Sequence, residues 1–449
     1  MARNQPVYVC SACGGEALKW QGQCPHCSEW NTLTRLAGVR ALSPAAGQGP
    51  SPVPVALATQ PLAEERFSLG SSELDRVFGG GLGVGSVSLL GGEPGIGKST
   101  LLLQAAAAVG AERAVLYASG EESTQQTVQR AQRLELSAPQ LTVVSDNSLE
   151  SILALSAERR AALLLVDSIQ TMQTSGVDSS PGSAQQLREC TAALVRYAKQ
   201  SGTAVIIVGH VTKDGAIAGP KLLEHLVDTV LYFDADAGSR YRMLRATKNR
   251  FGPVDELGFF AMSGAGLREV RNPSAIFLSR SPEPVPGSLV MVARDGGRPL
   301  LIEVQALVDH TRFSAPRRVA QGVDANRVAM LIAVMNRHSG VALADYDVYV
   351  NLVGGLQIEE TATDLPLALA LASSLRGTPL DTHMVAFGEL GLTGEVRPVP
   401  HGEDRLRELH KHGYTRAIVP RANAPRAGVD GLRLDAVSTL AEALEAAFR

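Results

Sequence analysis

The sequence predicts an α/β fold with a mostly parallel sheet and an antiparallel edge, joined to an N-terminal four-cysteine segment and to a second α/β domain. Three observations predict it. Short apolar strands alternate with helical patterns between residues 86 and 209, two CxxC pairs stand within the first 27 residues, and the strand pattern restarts after a proline-rich stretch at 272–287. With 449 residues the chain has room for about three domains.

The composition narrows the class of protein. Hydrophobic residues make up 45% and charged residues 19%, which is typical of a globular chain and argues against extensive disorder. The net charge of −3 means that a polyanionic partner would need a local basic lining. No run of eighteen apolar residues occurs, which excludes a transmembrane helix, and no apolar signal region opens the chain. We expect a cytoplasmic protein.

The first element is a metal-binding segment. Its two CxxC pairs, separated by ten residues, are formed by Cys10, Cys13, Cys24 and Cys27. Tetrahedral thiolate ligation of zinc explains both spacings, with disulfides as the alternative. Residues 38–61 are rich in Gly, Pro, Ser and Ala and have no helical or strand period. We therefore place a zinc finger at 1–33 and a flexible linker at 34–63.

Regular structure begins near Phe67. Strands are expected at 86–92, 114–119, 141–145, 162–167 and 204–209, with helices at 99–110, 124–134, 148–159 and 183–200. This alternation predicts a parallel sheet covered on both faces. The strands at 227–233 and 241–248 are joined too closely for a crossover helix, so they should be antiparallel to each other.

A complete GxxxxGKS motif lies between the first of these strands and the first helix, which is the context of a phosphate-binding loop (P-loop). Its glycines let backbone N–H groups converge on phosphates, and the helix N-terminus adds partial positive charge. Lys98 should reach the β- and γ-phosphates of ATP, and Ser99 the magnesium ion. The residues predicted to bind the nucleotide are Gly92, Glu93, Pro94, Gly95, Ile96, Gly97, Lys98, Ser99 and Thr100. A glycine-rich turn without a ligand is the alternative.

Carboxylates at two strand ends complete the predicted site. The apolar strand LLLV ends at Asp167, a Walker B candidate for holding magnesium, although a solvated strand-end aspartate is the alternative. Glu121 and Glu122 follow the strand 114–119, where a base could orient water at the γ-phosphate. Glu121 is the preferred base, and an exposed turn is the alternative.

Several segments together resemble the bacterial RadA (also called Sms) family of RecA-related recombination and repair ATPases. They are the finger with its WxGxCPxCxxWNT pattern, GEPGIGKST at 92–100, SGEES at 119–123, LLLVDS at 163–168, GHVTKDG at 209–215 and KNRFG at 248–252. The match runs in the same order from Cys10 to the C-terminus. It implies a RecA-like ATPase domain at 64–272 and ATP, Mg²⁺ and Zn²⁺ as cofactors.

The resemblance also implies a function. We expect a hexameric ring that encloses single-stranded DNA, translocates with ATP hydrolysis and processes branched recombination intermediates alongside RecA. Spacing alone makes Lys248 and Arg250 a solvated strand end, but the resemblance gives them a role at the neighbouring subunit's nucleotide. It makes His210 a γ-phosphate sensor and the loop 212–221, with Lys213 and Lys221, a DNA-facing pore loop.

The last domain, placed at 273–449, resembles the proteolytic domain of Lon. Lon's nucleophilic serine aligns with Thr363, and its catalytic lysine aligns with Glu403, with the nearest downstream amine at Lys411. A Ser–Lys dyad needs a hydroxyl beside an amine that can lose its proton, so we expect a non-proteolytic domain. Arg312, Arg317 and Arg318 form its densest basic cluster and are candidate DNA contacts, with a solvated loop as the alternative.

Two other functions remain open at the level of sequence. An ATP-dependent peptidase would also combine an ATPase domain with a Lon-like domain, but it would require the missing dyad lysine. A regulatory ATP-binding scaffold, like the related RecA-like circadian ATPases, would lack DNA-stimulated turnover.

Overall fold

The chain separates into two compact units, with the division between Glu269 and Val270. The sequence places its boundary close by, between 272 and 273. The computed structural model describes residues 8–17, 19–35, 65–210, 220–235, 240–278, 283–312 and 315–449. None of the helices in these ranges has the length and apolar run needed to cross a bilayer.

The cysteine segment folds as a three-stranded antiparallel sheet in the order β2-β1-β3. Its strands are β1 Tyr8–Cys10, β2 Glu16–Ala17 and β3 Leu33–Arg35. After the first CxxC pair the backbone turns at Gly14, whose φ of +72° favours glycine. The buried side chains of this segment are Cys10, Ala17, Cys24 and Leu33. So small an apolar core cannot hold the sheet unaided, which is typical of domains that fold around a metal.

A nine-stranded sheet dominates the rest of the first unit. A two-stranded pair, β4 Arg66–Phe67 and β5 Leu82–Gly83, precedes it and flanks helix α1 Ser72–Val77. The strands of the large sheet are β6 Val87–Gly92, β7 Val115–Ser119, β8 Leu141–Ser145, β9 Leu163–Asp167, β10 Ala204–Val208, β11 Thr229–Asp234, β12 Tyr241–Asn249, β13 Leu257–Ser263 and β14 Gly266–Glu269.

The strand order is β14-β13-β12-β11-β6-β10-β9-β7-β8. The six strands from β11 to β8 are parallel, and β12, β13 and β14 extend the sheet in antiparallel fashion. The predicted mixed sheet with an antiparallel edge is confirmed, and β11 pairs with β12 as expected. The β13–β14 hairpin lies beyond the predicted strands.

Helices cover both faces of this sheet. They are α2 Lys98–Val109, α3 Thr124–Arg133, α4 Leu149–Glu158, α5 Ala184–Ser201 and α6 Pro220–Glu224. Alternate strand residues point to opposite faces, so Leu165 and Ile206 pack in the cluster that includes α2, whereas Leu164 and Ile207 pack in the cluster that includes α5. Burial on both faces explains why these strands read as continuous apolar runs.

The parallel strands carry their loops to one edge. The loops after β6, β7 and β10 contain the P-loop, Glu121 and His210, and Asp167 is the last residue of β9. The carboxyl ends of parallel strands are the usual ligand-binding edge of an open α/β sheet. Residues far apart in the chain therefore meet there.

The second unit holds a seven-stranded mixed sheet in the order β17-β18-β16-β15-β19-β22-β23. Its strands and the short β20–β21 pair are β15 Ser288–Asp295, β16 Arg298–His310, β17 Arg318–Gln321, β18 Tyr346–Leu352, β19 Met384–Ala386, β20 Glu389–Leu390, β21 Val396–Arg397, β22 Arg416–Pro420 and β23 Arg433–Val437. Its helices are α7 Ala325–His338, α8 Asp364–Arg376, α9 Gly402–Lys411 and α10 Leu440–Ala447.

One predicted strand of this unit is wrong. The sequence favours a single strand at 384–390, but the structure divides it into β19, in the large sheet, and β20, which pairs with β21. The break falls at Gly388, whose φ of +157° lies outside strand geometry.

Candidate nucleotide-binding and metal-binding sites

The P-loop connects β6 to α2 at the carboxyl edge of the sheet. Gly97 caps α2 with a φ of +115°, and a Cβ atom there would lie 2.6 Å from the methyl carbon of Met262. Glycine is therefore favoured at this position by backbone conformation, whereas the Met262 methyl is the end of a flexible side chain and can shift. Glu93, Pro94 and Gly95 are exposed, so the outer part of the loop is open to a ligand.

Lys98 lies under this loop. Its ammonium group donates to the carbonyl oxygens of Gly92 and Glu93, at 2.7 and 2.8 Å. Burial lowers the pKa of Lys98 from its ordinary 10.5, and the charges of Asp167 and Glu121 oppose that shift. The P-loop backbone therefore holds Lys98 in place, near the carboxylates of Asp167 and Glu121.

Asp167 ends β9, two strands from β6, and is buried. Its Oδ2 atom accepts a hydrogen bond of 2.6 Å from the hydroxyl of Tyr117, a fully buried residue of β7. Sequence analysis did not single out Tyr117, because a tyrosine in an apolar strand reads as core. The side chain of Ser99, in the first turn of α2, is half-buried. Hydroxyl and carboxylate oxygens are ligands that Mg²⁺ prefers, so the donor set fits the predicted ion.

The two adjacent glutamates point to different partners. Oε1 of Glu121 lies 2.7 Å from Nε2 of His210 and accepts a second, short hydrogen bond from the Ser168 hydroxyl. The bond from His210, then that from Ser168, lower the pKa of Glu121 to about 2. Glu122 instead forms an ion pair with Arg130 of α3. Glu121 is therefore the glutamate that contacts His210 and Ser168, the residue after Asp167.

A cavity of about 280 Å³ opens beside the first turn of α2. It lies between that turn, the end of α3 and the β13–β14 hairpin, and it is lined by Thr100, Arg133, Leu134, Met262, Ser263, Gly264 and Gly266. The hairpin was absent from the predicted elements, so sequence analysis missed this cavity. Arg242 of β12 also approaches the P-loop, and its Nε atom donates to the carbonyl of Ile96 at 3.1 Å.

Lys248 and Arg250 lie at the opposite edge of the sheet. The backbone N–H of Arg250 donates to the carbonyl of Asp228, and its guanidinium lies 3.5 Å from the carboxylate of Asp228. That same carboxylate accepts from the N–H of Val87, the first residue of β6. From Val87 to Gly92 the strand advances about 17 Å. Arg250 therefore lies a strand's length from the P-loop of its own chain.

The side chains of Lys248 and Arg250 differ in how firmly the protein holds them. The Lys248 ammonium donates to the carbonyls of Glu224 and Val227, at 2.6 and 2.8 Å, just after helix α6. Burial, together with the charge of Arg250, lowers the pKa of Lys248. The side chain of Arg250 is 60% exposed and can reorient at little cost.

The four cysteines converge on one point. Their sulfur atoms all lie within 4.8 Å of one another, and the pairs Cys10–Cys27 and Cys13–Cys24 are each separated by 3.6 Å. A tetrahedral site with Zn–S bonds of about 2.3 Å places its sulfurs about 3.8 Å apart. The backbone N–H groups of Ala12 and His26 donate to the sulfurs of Cys10 and Cys24. The cluster fits zinc.

Thr363 and Glu403, aligned with the Lon dyad, have separate surroundings in the second unit. The hydroxyl of Thr363 is buried and donates to the carbonyl of Glu360 at 3.0 Å. The carboxylate of Glu403 is 72% exposed and pairs with Arg407 on the same helix. Two residues along α9, the buried Arg405 donates to both carboxylate oxygens of Glu360 and to the carbonyl of Val292.

The predicted DNA-contact residues are placed as follows. Arg312, Arg317 and Arg318 are exposed, and Arg318 opens strand β17. The N–H of Arg317 donates to Asp347 at 2.7 Å. Lys213 falls outside the described residues. The predicted loop 212–221 is shorter than expected at its far end, because helix α6 begins at Pro220 and includes Lys221.

Comparisons with known proteins cover all of these regions. The family described as rubredoxin metal binding domain matches residues 8–35, the AAA domain family matches residues 56–216, and the family of subunit ChlI of Mg-chelatase matches residues 318–423. The AAA match includes the P-loop and identifies an ATPase domain. Among solved structures, a KaiC-like protein from Pyrococcus horikoshii OT3 aligns with 46% of this chain and 99% of its own, at 18% identity and a TM-score of 0.40.

Curated relatives match over the full length. DNA repair protein RadA from Pseudomonas aeruginosa is 51% identical over 100% of both chains. The protein of the same name from Escherichia coli is 51% identical over 98% of this chain and 97% of its own, and that from Bacillus subtilis is 45% identical over 99% of each. This chain belongs to the RadA family of DNA repair proteins.

Proposed function

We propose that this chain is a DNA-dependent ATPase that forms a ring on single-stranded DNA and drives branch migration during DNA repair, alongside RecA. The observation that carries the proposal is the 2.7 Å contact between Glu121 and His210. Glu121 is the carboxylate best placed to orient water. His210 immediately precedes the segment that, by family resemblance, faces DNA.

The P-loop and the first turn of α2 would bind the triphosphate. Lys98 would exchange its contacts with the carbonyls of Gly92 and Glu93 for phosphate oxygens. Ser99 and Asp167 would hold the magnesium ion. The ion, when bound, neutralises charge on the β- and γ-phosphates. Lys98 would add positive charge that follows the phosphates into the transition state.

Glu121 would orient the attacking water. With a pKa of about 2, its carboxylate is ionised at neutral pH and can accept a hydrogen bond from water. Because it is so weak a base, positioning of the water rather than early proton removal is the greater part of its contribution. Ser168 holds the same oxygen atom as His210 does, so the other oxygen remains for water.

His210 would couple the nucleotide to DNA. A γ-phosphate that draws Glu121 or His210 toward itself would alter their contact, and the backbone after His210 would move with it. Lys213 and Lys221 would then contact phosphates of the strand. Such contacts give affinity without sequence preference, as a translocating enzyme requires.

Lys248 and Arg250 would act on the nucleotide of the neighbouring subunit. A ring repeats one heterologous contact, in which each subunit presents the amino edge of its sheet to the next subunit's carboxyl edge. The exposed guanidinium of Arg250 suits this role, because it can leave Asp228 for a phosphate. Lys248 would first have to release two carbonyl oxygens.

The cavity beside α2 would receive the nucleotide base. Thr100 follows the P-loop Ser99, and the apolar side chains of Leu134 and Met262 offer a surface for a planar ring. The zinc finger at 1–33 and the linker at 34–63 would precede the ATPase domain at 64–272. The domain at 273–449 would be non-proteolytic and would contact DNA through Arg312, Arg317 and Arg318.

ATP turnover with and without single-stranded DNA, measured at several salt concentrations, tests the proposal. We expect DNA to stimulate turnover, and added salt to weaken the stimulation as phosphate contacts are screened. A branch-migration assay on three-strand intermediates, with and without RecA, tests the finer claim. Turnover that is indifferent to DNA would favour a regulatory ATP-binding scaffold instead.

A further inference from the structure

The buried contact between Tyr117 and Asp167 is unlike the other contacts of its strand. Tyr117 lies in the middle of β7, 1% exposed, among aliphatic side chains. In the parallel register Tyr117 pairs with Leu165 and Ser119 pairs with Asp167, so Tyr117 and Asp167 share one face of the sheet. The ring runs along the strands toward the carboxyl edge, and its hydroxyl donates to Oδ2 of Asp167 at 2.6 Å.

Packing alone does not explain this hydroxyl. A phenylalanine would fill the same volume among aliphatic neighbours, whereas a buried hydroxyl costs free energy unless it is hydrogen-bonded. In the described part of the chain, its hydrogen bond goes to Asp167. We therefore attribute the presence of the Tyr117 hydroxyl to its hydrogen bond with the Asp167 carboxylate.

The contact constrains how Asp167 can bind an ion. A carboxylate at the end of a strand can rotate about its side-chain bonds and offer either oxygen atom or both. A donor held rigidly in the core engages Oδ2 and fixes the plane of the group, which leaves Oδ1 for a cation or its water. Groups that orient a metal ligand in this way typically change metal affinity or activity 10- to 100-fold when removed.

We propose that Tyr117 is a positioning residue that orients Asp167 toward magnesium. The proposal rests on the assignment of Asp167 to the magnesium ion. It goes beyond that assignment, because it makes a core residue of β7 a determinant of how tightly the nucleotide-bound ion is held.

The test measures ion binding rather than turnover. A fluorescent ADP derivative is bound to the full chain across a range of free Mg²⁺ concentrations and also in EDTA. For Tyr117→Phe we expect the Mg²⁺ concentration at half-maximal effect to rise about tenfold, with nucleotide affinity in EDTA unchanged. Mn²⁺ binding to the ADP complex, followed by electron paramagnetic resonance, should weaken by a similar factor.

Two variants make the result specific. Tyr197→Phe is the matched control, because it removes a tyrosine hydroxyl that bonds Ser156 at 2.9 Å, away from the site. Asp167→Asn should itself shift the Mg²⁺ dependence. In the Asp167→Asn background, Tyr117→Phe should add little, since the two residues act as a unit. Thermal unfolding checks that each variant is folded; the phenylalanine retains the ring that packs in the core.

The outcomes separate the two claims. If Asp167→Asn leaves Mg²⁺ dependence unchanged, the assignment of Asp167 fails and the role of Tyr117 fails with it. If Asp167→Asn shifts the dependence but Tyr117→Phe does not, or if Tyr117→Phe shifts it equally in the Asp167→Asn background, the positioning role is overturned. A shift equal to that of Tyr197→Phe would likewise make the hydroxyl merely structural.

Discussion

Replacement of Arg250 by alanine should abolish ATP turnover through the neighbouring subunit while leaving nucleotide binding intact. Arg250 lies beside Val87, the amino end of β6, and the strand separates it from the P-loop by about 17 Å. An arginine side chain cannot reach across that distance within one chain. A finger of this kind acting across subunits contributes about 10³- to 10⁵-fold to turnover.

The loss of ATP turnover in Arg250→Ala should come from the missing guanidinium charge and not from unfolding. The Arg250 side chain is 60% exposed. When this side chain is removed, Asp228 keeps the N–H of Val87 and the ammonium of Lys199 as partners. Arg250→Lys should be impaired almost as severely as Arg250→Ala, because an ammonium cannot reproduce the planar fork of guanidinium.

The decisive assay mixes two inactive proteins. Arg250→Ala has an intact P-loop, and Lys98→Ala has an intact finger. In rings assembled at random from equal amounts, about one quarter of the interfaces join an intact P-loop to an intact finger, so about a quarter of wild-type turnover should return. The recovered activity should fall on either side of the equal mixture. If subunit exchange is demonstrated by energy transfer between labelled variants and no activity returns at any ratio, Arg250 does not act across subunits.

The remaining predictions concern the P-loop, the finger and the second unit. Lys98→Ala should fold and retain zinc but lose turnover by several orders of magnitude, because it removes a cation that follows phosphate charge into the transition state; near-normal hydrolysis would refute the P-loop assignment. Elemental analysis should find about one zinc per chain, and chelation should unfold the finger without changing the thermal transition of the ATPase domain; metal-free protein as purified would contradict this. Peptide hydrolysis should be absent with and without ATP, because the carboxylate of Glu403 cannot serve as a neutral amine base; cleavage that Thr363→Ala abolishes would overturn the alignment.

The sequence predicts most of the parallel sheet because its strands are buried on both faces. Leu163–Asp167 and Ala204–Val208 are continuous apolar runs between helical patterns, and their ends fall within two residues of the prediction. Strands β14, β17 and β23 were missed because short or half-exposed strands carry weak periodicity. Strands β13 and β22 were also missed, although they are largely buried. Residues 384–390 are predicted as one strand because they are mostly apolar, but Gly388 breaks the strand and two strands form.

Only part of the candidate site could be predicted from the sequence. Glu121, Asp167 and His210 could be brought together from sequence, because parallel topology sends the ends of β7, β9 and β10 to one edge. The preference for Glu121 over Glu122 as the base has no physical argument in the sequence, because both residues precede α3. In the folded chain Glu122 forms an ion pair with Arg130. Tyr117 and Arg242 escaped notice for a similar reason: their partners are distant in the chain.

The buried guanidinium of Arg405 has a consequence for any attempt to build a Ser–Lys dyad into this domain. Residues 403 and 405 are about 200° apart around helix α9, so one faces the core when the other faces water. Arg405 is 1% exposed and fixed to Glu360, and Glu403 is accordingly at the surface. A lysine introduced by Glu403→Lys would be exposed to solvent and would stay protonated at neutral pH. Turning α9 to bury that amine would expose Arg405 and leave the carboxylate of Glu360 without its guanidinium partner, so building a dyad here would require several coordinated substitutions rather than one.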